Sequence, residues 1–239
     1  MKRFFKIMLF SVCILLLYAC YVFYPIYQAI NVSALLINNT KAFEQHPLNP
    51  NKYILVAGDS NAVGVGANDP SESIAGRLGH QFPNADITNL GLSGAKLKDL
   101  LFVLKKQNKK HYDLIILHIG GNDITHFTPY DTIRVELAEV ISLSNKLSPK
   151  TILLTAGNIG NAPMFYWPLS AIITDRTLGV REIFIDEAAK NKAVSYIDLF
   201  KNREDDELVK NLKKNYSPDM FHLSGAGYEI WYHSIKKEL

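Results

Sequence analysis

Residues 53–61, which read YILVAGDSN, decide the fold and contain the first candidate site residue. Residues 53–57 are an apolar run that ends at Gly58, a pattern that predicts a strand buried on both faces. In a parallel sheet the loops that follow the strands carry the chemistry, so we expect Ser60 just past the carboxyl end of a first strand. Taken alone, Gly-Asp-Ser would favour a simple turn, since these are the usual turn residues.

Beyond this strand, predicted strands and helices alternate as far as the carboxyl terminus. We predict strands at 85–90, 113–119, 151–156 and 194–197, and helices at 70–79, 95–107, 129–147, 168–190, 204–214 and 224–237. The stretch 113–119 is rich in Leu and Ile, as a strand covered on both faces requires. Repeated strand–helix units predict a three-layer α/β/α domain with a central parallel sheet of about five strands.

The amino-terminal segment differs from the rest of the chain. Residues 1–6 are basic, residues 7–24 contain no charged side chain, and the next charge after Lys6 is Lys41. An uncharged span of this length can cross the hydrocarbon core of a membrane as a transmembrane helix. Because positive residues flank the span only on its amino-terminal side, the positive-inside rule predicts that the rest of the chain is exported, to the periplasmic or extracellular face.

Two alternatives to an uncleaved anchor remain open for this segment. It fits a cleaved secretory signal, and it also fits a lipoprotein signal at Cys20, because residues 17–20, LYAC, resemble a lipobox. Apolar residues continue past Cys20, however, where a mature lipoprotein usually turns polar. We predict an anchor at 1–30, a linker at 31–51 and a globular domain at 52–239. Apolar residues continue at helical spacing in 26–38, so an extension of the membrane helix through these residues is an open alternative.

Composition argues against several partners and sites. Lys2, Arg3 and Lys6 account for the whole net charge of +3, so charges balance elsewhere, which argues against a nucleic-acid binder. The two cysteines, Cys13 and Cys20, both lie in the amino-terminal segment, so the predicted domain has no disulfide and no cysteine metal site. We expect no metal ion and no cofactor.

Polar, glycine-containing stretches follow three of the predicted strands. They read GDSN at 58–61, NLGLSG at 89–94 and GGND at 120–123. Because the carboxyl ends of parallel strands lie at one edge of a sheet, we expect the three stretches to meet. A fourth segment, DMFH at 219–222, places a carboxylate three residues before an imidazole. With that spacing the carboxylate can bind one ring nitrogen and fix the tautomer. The other nitrogen is then free to take a proton from a serine hydroxyl.

In order and separation, these four segments resemble the sequence blocks of the SGNH, or GDSL-type, serine hydrolase superfamily. The resemblance covers residues 52–239 and implies the flavodoxin-like fold of that superfamily and an acyl-enzyme mechanism. It implies that Ser60 is the nucleophile, and that His222 and Asp219 complete a catalytic triad. It further implies an oxyanion hole from the backbone N–H groups of Ser60 and Gly94 and the side-chain amide of Asn122.

We therefore expect a membrane-anchored serine esterase acting on a small ester, a lipid or an acylated glycan. An O-acetylesterase or O-acetyltransferase on envelope polysaccharide is one alternative, and a catalytically silent binding module of the same fold is another. The segment 162–169, APMFYWPL, follows the fourth strand at the edge where Ser60 is expected. Its side chains Phe165 and Trp167 are predicted to line the substrate pocket, with packing on helices or on the bilayer as an equally open role.

Overall fold

A computed structural model describes residues 2–107 and 111–239, and the strands within them form one parallel sheet. The order across the sheet is β2-β1-β3-β4-β5. The prediction of an α/β fold around a parallel sheet of about five strands is confirmed. The strands are β1 (Lys52–Gly58), β2 (Ala85–Gly91), β3 (Leu114–His118), β4 (Thr151–Leu154) and β5 (Val194–Ile197).

Helices separate the strands and cover the sheet. The β1–β2 connection runs across the sheet in the direction opposite to the later connections, so right-handed crossovers place their helices on opposite faces. The helices are α1 (Lys2–Asn39), α2 (Ser60–Val63), α3 (Ile74–Gln81), α4 (Leu97–Lys105), α5 (Gly121–Thr125), α6 (Tyr130–Leu147), α7 (Leu169–Ala189), α8 (Glu207–Lys210), α9 (Leu212–Asn215) and α10 (Gly225–Ile235). On one face α3 packs with α10, and on the other α4, α6 and α7 lie side by side.

The strand order also determines where a site can form. β1 lies between β2 and β3, and the chain leaves β1 toward one side and later returns to its other side to form β3. Loops at such a switch point diverge and leave a crevice at the carboxyl edge of the sheet. Ser60 follows β1 directly, so it lies at the mouth of this crevice.

Two predicted helices differ from the structure because capping side chains interrupt them. In the first, Pro70–Glu72 forms a single 3₁₀ turn, and α3 starts afresh after Ser73, whose hydroxyl accepts a hydrogen bond from the backbone N–H of Gly76. In the second, the charged stretch 204–214 forms the short helices α8 and α9 instead of one helix. Asn211 lies between them with non-helical backbone angles, and its side chain caps α9.

The amino-terminal helix is longer than predicted. α1 runs to Asn39, past the predicted boundary at residue 30, and is long and apolar enough to cross a membrane. Residues 2–18 are all exposed, whereas buried and half-buried residues recur every three or four positions from Ala19 to Leu36. After α1 the chain packs along the sheet, where Gln45 pairs with Ile87 of β2. The predicted linker, 31–51, is therefore helical at first and then attached to the sheet edge.

Candidate active site

Ser60, His222 and Asp219 form one hydrogen-bonded line at the carboxyl edge of the sheet. Ser60 Oγ lies 2.9 Å from His222 Nε2. His222 Nδ1 lies 2.6 Å from Asp219 Oδ2. All three side chains are buried or nearly so. The carboxylate thus holds one ring nitrogen, and the other nitrogen faces the serine hydroxyl.

The local backbone explains why Ser60 is presented at this point. Gly58 has φ +146°, and a Cβ there would lie 1.9 Å from the His118 carbonyl oxygen, so only glycine lets β1 and β3 run this close together. Asp59 then caps α2 by accepting a hydrogen bond from the Asn61 backbone N–H at 2.9 Å. As the first residue of α2, Ser60 has a backbone N–H without an intrahelical partner.

Asp219 is surrounded by hydrogen-bond donors. Its Oδ1 accepts from Ser217 Oγ at 2.7 Å, from the Phe221 N–H at 3.0 Å and from the His222 N–H at 2.9 Å. Its Oδ2 accepts from His222 and also from Ser33 Oγ, which lies 2.6 Å away on α1. Burial alone would raise the pKa of Asp219, but these donors and the charge of His222 outweigh burial and hold the pKa below its ordinary value. The carboxylate therefore stays charged.

Gly94 and Asn122 lie on the same cavity wall as Ser60. Gly94 has φ +83° and open space where a Cβ would be, and its backbone N–H has no acceptor among the described residues. Asn122, on α5, donates one amide hydrogen from Nδ2 to the Ala95 carbonyl at 3.0 Å. That bond orients the amide and leaves its second hydrogen for another acceptor. Ser60, Gly94 and Asn122 thus bring three potential donors to one cavity.

Two further carboxylates brace the loops. Asp59 is fully buried behind Ser60, and burial raises its pKa to about 6 against the lowering effect of the Asn61 hydrogen bonds. Asp123 Oδ2 accepts from the Leu97 N–H at 3.0 Å, which ties the loop after β3 to the start of α4. Both carboxylates thus fix the positions of the loops that follow the strands. Within the part of the chain that the structure describes, no group of His, Cys, Asp or Glu side chains could hold a metal ion.

Two cavities meet Ser60 and differ tenfold in size. The smaller has about 50 Å³ and is lined by residues from loops and from α10, among them Asp59, Asn158 and Trp231. The larger has about 530 Å³ and lies between α1 and the globular domain. We call this larger cavity the α1 groove. Its apolar lining consists of Ile26, Ile30, Ala34 and Ile37 from α1 and Met164, Phe165, Ile173 and Phe221 from the domain.

The two predicted pocket residues lie in different places. Phe165 lines the α1 groove, and its ring meets the edge of Phe221 with centroids 6.1 Å apart. Trp167 is 69% exposed and lies outside that lining. It neighbours the exposed residues 2–18 of α1, which we call the membrane half of the helix. There the Tyr18 hydroxyl donates to the Trp167 carbonyl at 2.8 Å. Only Phe165 is thus placed to contact a substrate at Ser60.

Ser33 and the apolar stripe of α1 are site residues that the sequence analysis did not identify. A signal for them exists in the spacing of the small residues Ala19, Ala29 and Ser33, which lie on one face of the helix. Small residues at such spacing let another element approach a helix closely. In a uniformly apolar segment that spacing is easily overlooked.

Comparison with known proteins gives one family match by sequence and several matches by fold. Residues 56–230 match the model of the GDSL-like Lipase/Acylhydrolase family, and no curated protein matches by sequence. A lipolytic G-D-S-L family protein from Veillonella parvula aligns with a TM-score of 0.62 and 17% identity, covering 77% of this chain and 96% of its own. An acetyl xylan esterase variant from Geobacillus stearothermophilus and a family 3 carbohydrate esterase from Clostridium thermocellum, each 20% identical, align with TM-scores of 0.54 and 0.55. They cover 80% and 78% of this chain and 95% and 94% of their own.

Proposed function

Because the chain belongs to the GDSL-like lipase/acylhydrolase family, we propose that it is a serine esterase with Ser60 as its nucleophile. The observation that carries this proposal is the line of two hydrogen bonds from Ser60 through His222 to Asp219, 2.9 and 2.6 Å long. A nucleophile, a base and an orienting carboxylate in this geometry are what acyl transfer requires. The same line argues against a silent binding module, which needs none of these groups.

The reaction proceeds in two halves. His222 Nε2 takes the hydroxyl proton of Ser60 as Oγ attacks the ester carbonyl carbon, and the carbonyl oxygen becomes an oxyanion. The tetrahedral intermediate collapses, the C–O bond to the leaving group breaks, and the imidazolium gives its proton to the departing oxygen, which leaves as the alcohol. Water then attacks the acyl-enzyme with His222 again as the base, and the acid leaves while Ser60 regains its proton.

The other groups stabilise charge during these steps. Asp219 remains ionised, holds the tautomer of His222 and stabilises the imidazolium when it forms. The backbone N–H groups of Ser60 and Gly94 and the free amide hydrogen of Asn122 form the oxyanion hole. Such donors are fixed before the reaction, so they lower the barrier without reorganising.

Replacing the nucleophile tests the proposal. Ser60→Ala should lower kcat for p-nitrophenyl butyrate by at least about a thousandfold while the protein remains folded, because a triad acts as a unit. Ser142→Ala is the matched control, since Ser142 is an exposed residue on α6. Activity that survives in pure Ser60→Ala protein would refute the mechanism.

An O-acetylesterase is the second candidate, and the smaller cavity is the observation that favours it. A cavity needs about 10–15 Å³ to hold one water molecule. The 50 Å³ next to Ser60 and Asn122 therefore suits a group as small as acetyl. Acetate release from acetylated oligosaccharides, measured beside simple acyl esters, distinguishes the two. Transfer of the acetyl group to a glycan acceptor, with little free acetate, would identify a transferase instead.

The membrane topology completes the proposal. Basic residues before the apolar part of α1 and none in the residues just after it support a catalytic domain outside the cytoplasm. Protease added to intact spheroplasts should then digest the domain while a cytoplasmic marker survives. Full protection of the domain would place it in the cytoplasm.

A further inference from the structure

α1 consists of two unlike halves. Its docking face, whose buried and half-buried residues recur every three or four positions, consists of Ala19, Val22, Pro25, Ile26, Ala29, Val32, Ser33 and Leu36. That spacing marks one face of a helix held against a partner. Ala29 belongs to the core cluster of the globular domain, and Ser33 donates to Asp219. The carboxyl-terminal half of α1 is therefore part of the catalytic domain.

The stripe next to the docking face borders the α1 groove. Ile26, Ile30, Ala34 and Ile37 follow one another along the helix, and about 1.5 Å of rise per residue makes this wall about 16 Å long. At Ser33 the wall reaches the hydrogen-bonded line, and the groove lining there includes Ser60, Gly94 and Asn122. A substrate carbonyl held at Ser60 would have this groove beside it.

The other cavity at Ser60 is too small for a long acyl chain. Its volume is about 50 Å³, against about 530 Å³ for the α1 groove. At about 10–15 Å³ for each water molecule, this cavity has room for only a few of them. Both sides of the groove carry apolar side chains, with Met164, Phe165 and Ile173 across from the helix. A hydrocarbon chain is stabilised there because each methylene that it buries leaves water.

The Ile26 end of the groove lies near the predicted membrane surface. Aromatic residues of α1 and of the 162–169 segment meet there, with the rings of Tyr21 and Tyr166 5.0 Å apart. The exposed Trp167 is held by Tyr18 at the same place. Tyr and Trp collect where a helix leaves the hydrocarbon core. The groove thus leads from the bilayer surface to the serine.

We propose that residues 26–37 of α1 form the specificity-determining wall of an acyl-chain site, so that the substrate is a membrane-borne ester whose long acyl chain lies along the anchor helix. The role rests on the proposed esterase activity, since it needs a carbonyl at Ser60. It makes the anchor a part of the active site, and α1 selects the acyl chain while the loops of the sheet react with the ester bond.

The test fills the groove from the α1 side. In the full-length protein in detergent, kcat/KM is measured for p-nitrophenyl octanoate and p-nitrophenyl acetate. We expect wild type to prefer the octanoyl ester, and Ala34→Trp to lower the octanoyl-to-acetyl ratio by about tenfold or more. Leu35→Trp is the control, because Leu35 is 64% exposed and lies outside the groove lining. Comparison with wild type in the same detergent cancels the partition of the longer ester into micelles.

A second variant covers the case in which Ala34→Trp does not fold. Ile30→Ala shortens the wall without adding bulk, so the same ratio should fall by about threefold to tenfold, with Leu35→Ala unchanged. Ratios equal to wild type in folded Ala34→Trp and Ile30→Ala would overturn the proposal, as would a wild-type enzyme that prefers the acetyl ester. Absence of hydrolysis of both esters by wild type would instead refute the esterase activity itself, so the two failures are distinguishable.

Discussion

Two regions of the molecule meet at Ser60 and contribute differently. The loops at the carboxyl edge of the sheet bring Ser60, Asp219 and His222 together through tight turns, caps and one glycine contact between strands. Residues 26–37 of α1 bring an apolar wall and the hydroxyl of Ser33, which donates to Asp219. The loops depend on exact backbone geometry, whereas α1 depends on the shape and spacing of side chains along one helix.

This difference separates chemistry from selection. Changes in the loops should alter the rate for every ester, because they act where charge develops. Changes in the groove wall of α1 should alter which ester is preferred, because they act on the part of the substrate that does not react. Ser33 is the exception, since it belongs to α1 and yet contacts the carboxylate of the loops.

The largest effect should come from the loop side of this comparison. Asn122→Ala removes an oxyanion donor, so we expect kcat to fall about a hundredfold to a thousandfold for acetyl and octanoyl esters alike, with a smaller change in KM. The variant also loses the hydrogen bond to the Ala95 carbonyl, so its unfolding midpoint is measured in parallel. Asn145→Ala, on an exposed part of α6, is the control. A change in KM alone would make Asn122 a binding residue.

Ser33 tests whether α1 reaches the chemistry as well as the substrate. Ser33→Ala removes a donor to Asp219 Oδ2, so the carboxylate is less well held and its pKa rises toward the ordinary value. We expect kcat to fall by up to about tenfold with KM little changed, as a loss of about 1.4 kcal/mol implies. Ser33→Thr keeps the hydroxyl and should restore kcat, which a purely structural role would not predict.

The matched control for Ser33 is Ser11, which lies in the exposed half of the same helix. Ser11→Ala should leave kcat and KM unchanged. If it lowers kcat as much as Ser33→Ala does, the two halves of α1 do not differ as described.

The last prediction concerns stability instead of rate, at the loop brace Asp59. Its pKa of about 6 in the folded protein lies above the ordinary 3.8, so the folded state binds a proton more tightly than the unfolded state. This brace is therefore most stabilising at low pH, and its contribution is lost as pH rises from about 4 to about 6. Wild type loses this contribution as pH rises, and Asp59→Asn does not. The free energy of unfolding of Asp59→Asn minus that of wild type should therefore increase by about 1–3 kcal/mol from pH 4 to pH 7.

Urea unfolding at the two pH values, followed by tryptophan fluorescence, measures this gain. Asp205→Asn is the control, because Asp205 is exposed. A constant difference between Asp59→Asn and wild type would mean that Asp59 ionises no differently in the folded protein.

The sequence predicts the strand-based part of the molecule well. Apolar runs bounded by Gly, Asn and Asp locate the strands, and the parallel arrangement then brings Ser60, Gly94 and Asn122 to one edge. Helix interruptions that depend on a single capping residue, at Ser73 and Asn211, are not visible from periodicity alone, because the flanking residues are compatible with a helix.

The contribution of α1 is harder to predict for a physical reason. Residues that face lipid and residues that face an apolar domain have the same composition, so hydropathy alone places the end of the anchor near residue 30. Only packing distinguishes Ile14, exposed on the membrane half, from Ala29, buried against the domain. The same limit applies to the 162–169 segment, where Phe165 lines the groove and Trp167 points away from it.

The central claim is that Ser60 is a nucleophile activated by His222, and covalent labelling tests it most directly. A fluorophosphonate probe is incubated with folded full-length protein, and the modified peptide is identified by mass spectrometry. We predict a single adduct on Ser60, absent from Ser60→Ala and strongly slowed in His222→Ala, while Ser142→Ala labels like wild type. An adduct on another residue, or no labelling of folded wild-type protein, would contradict the account.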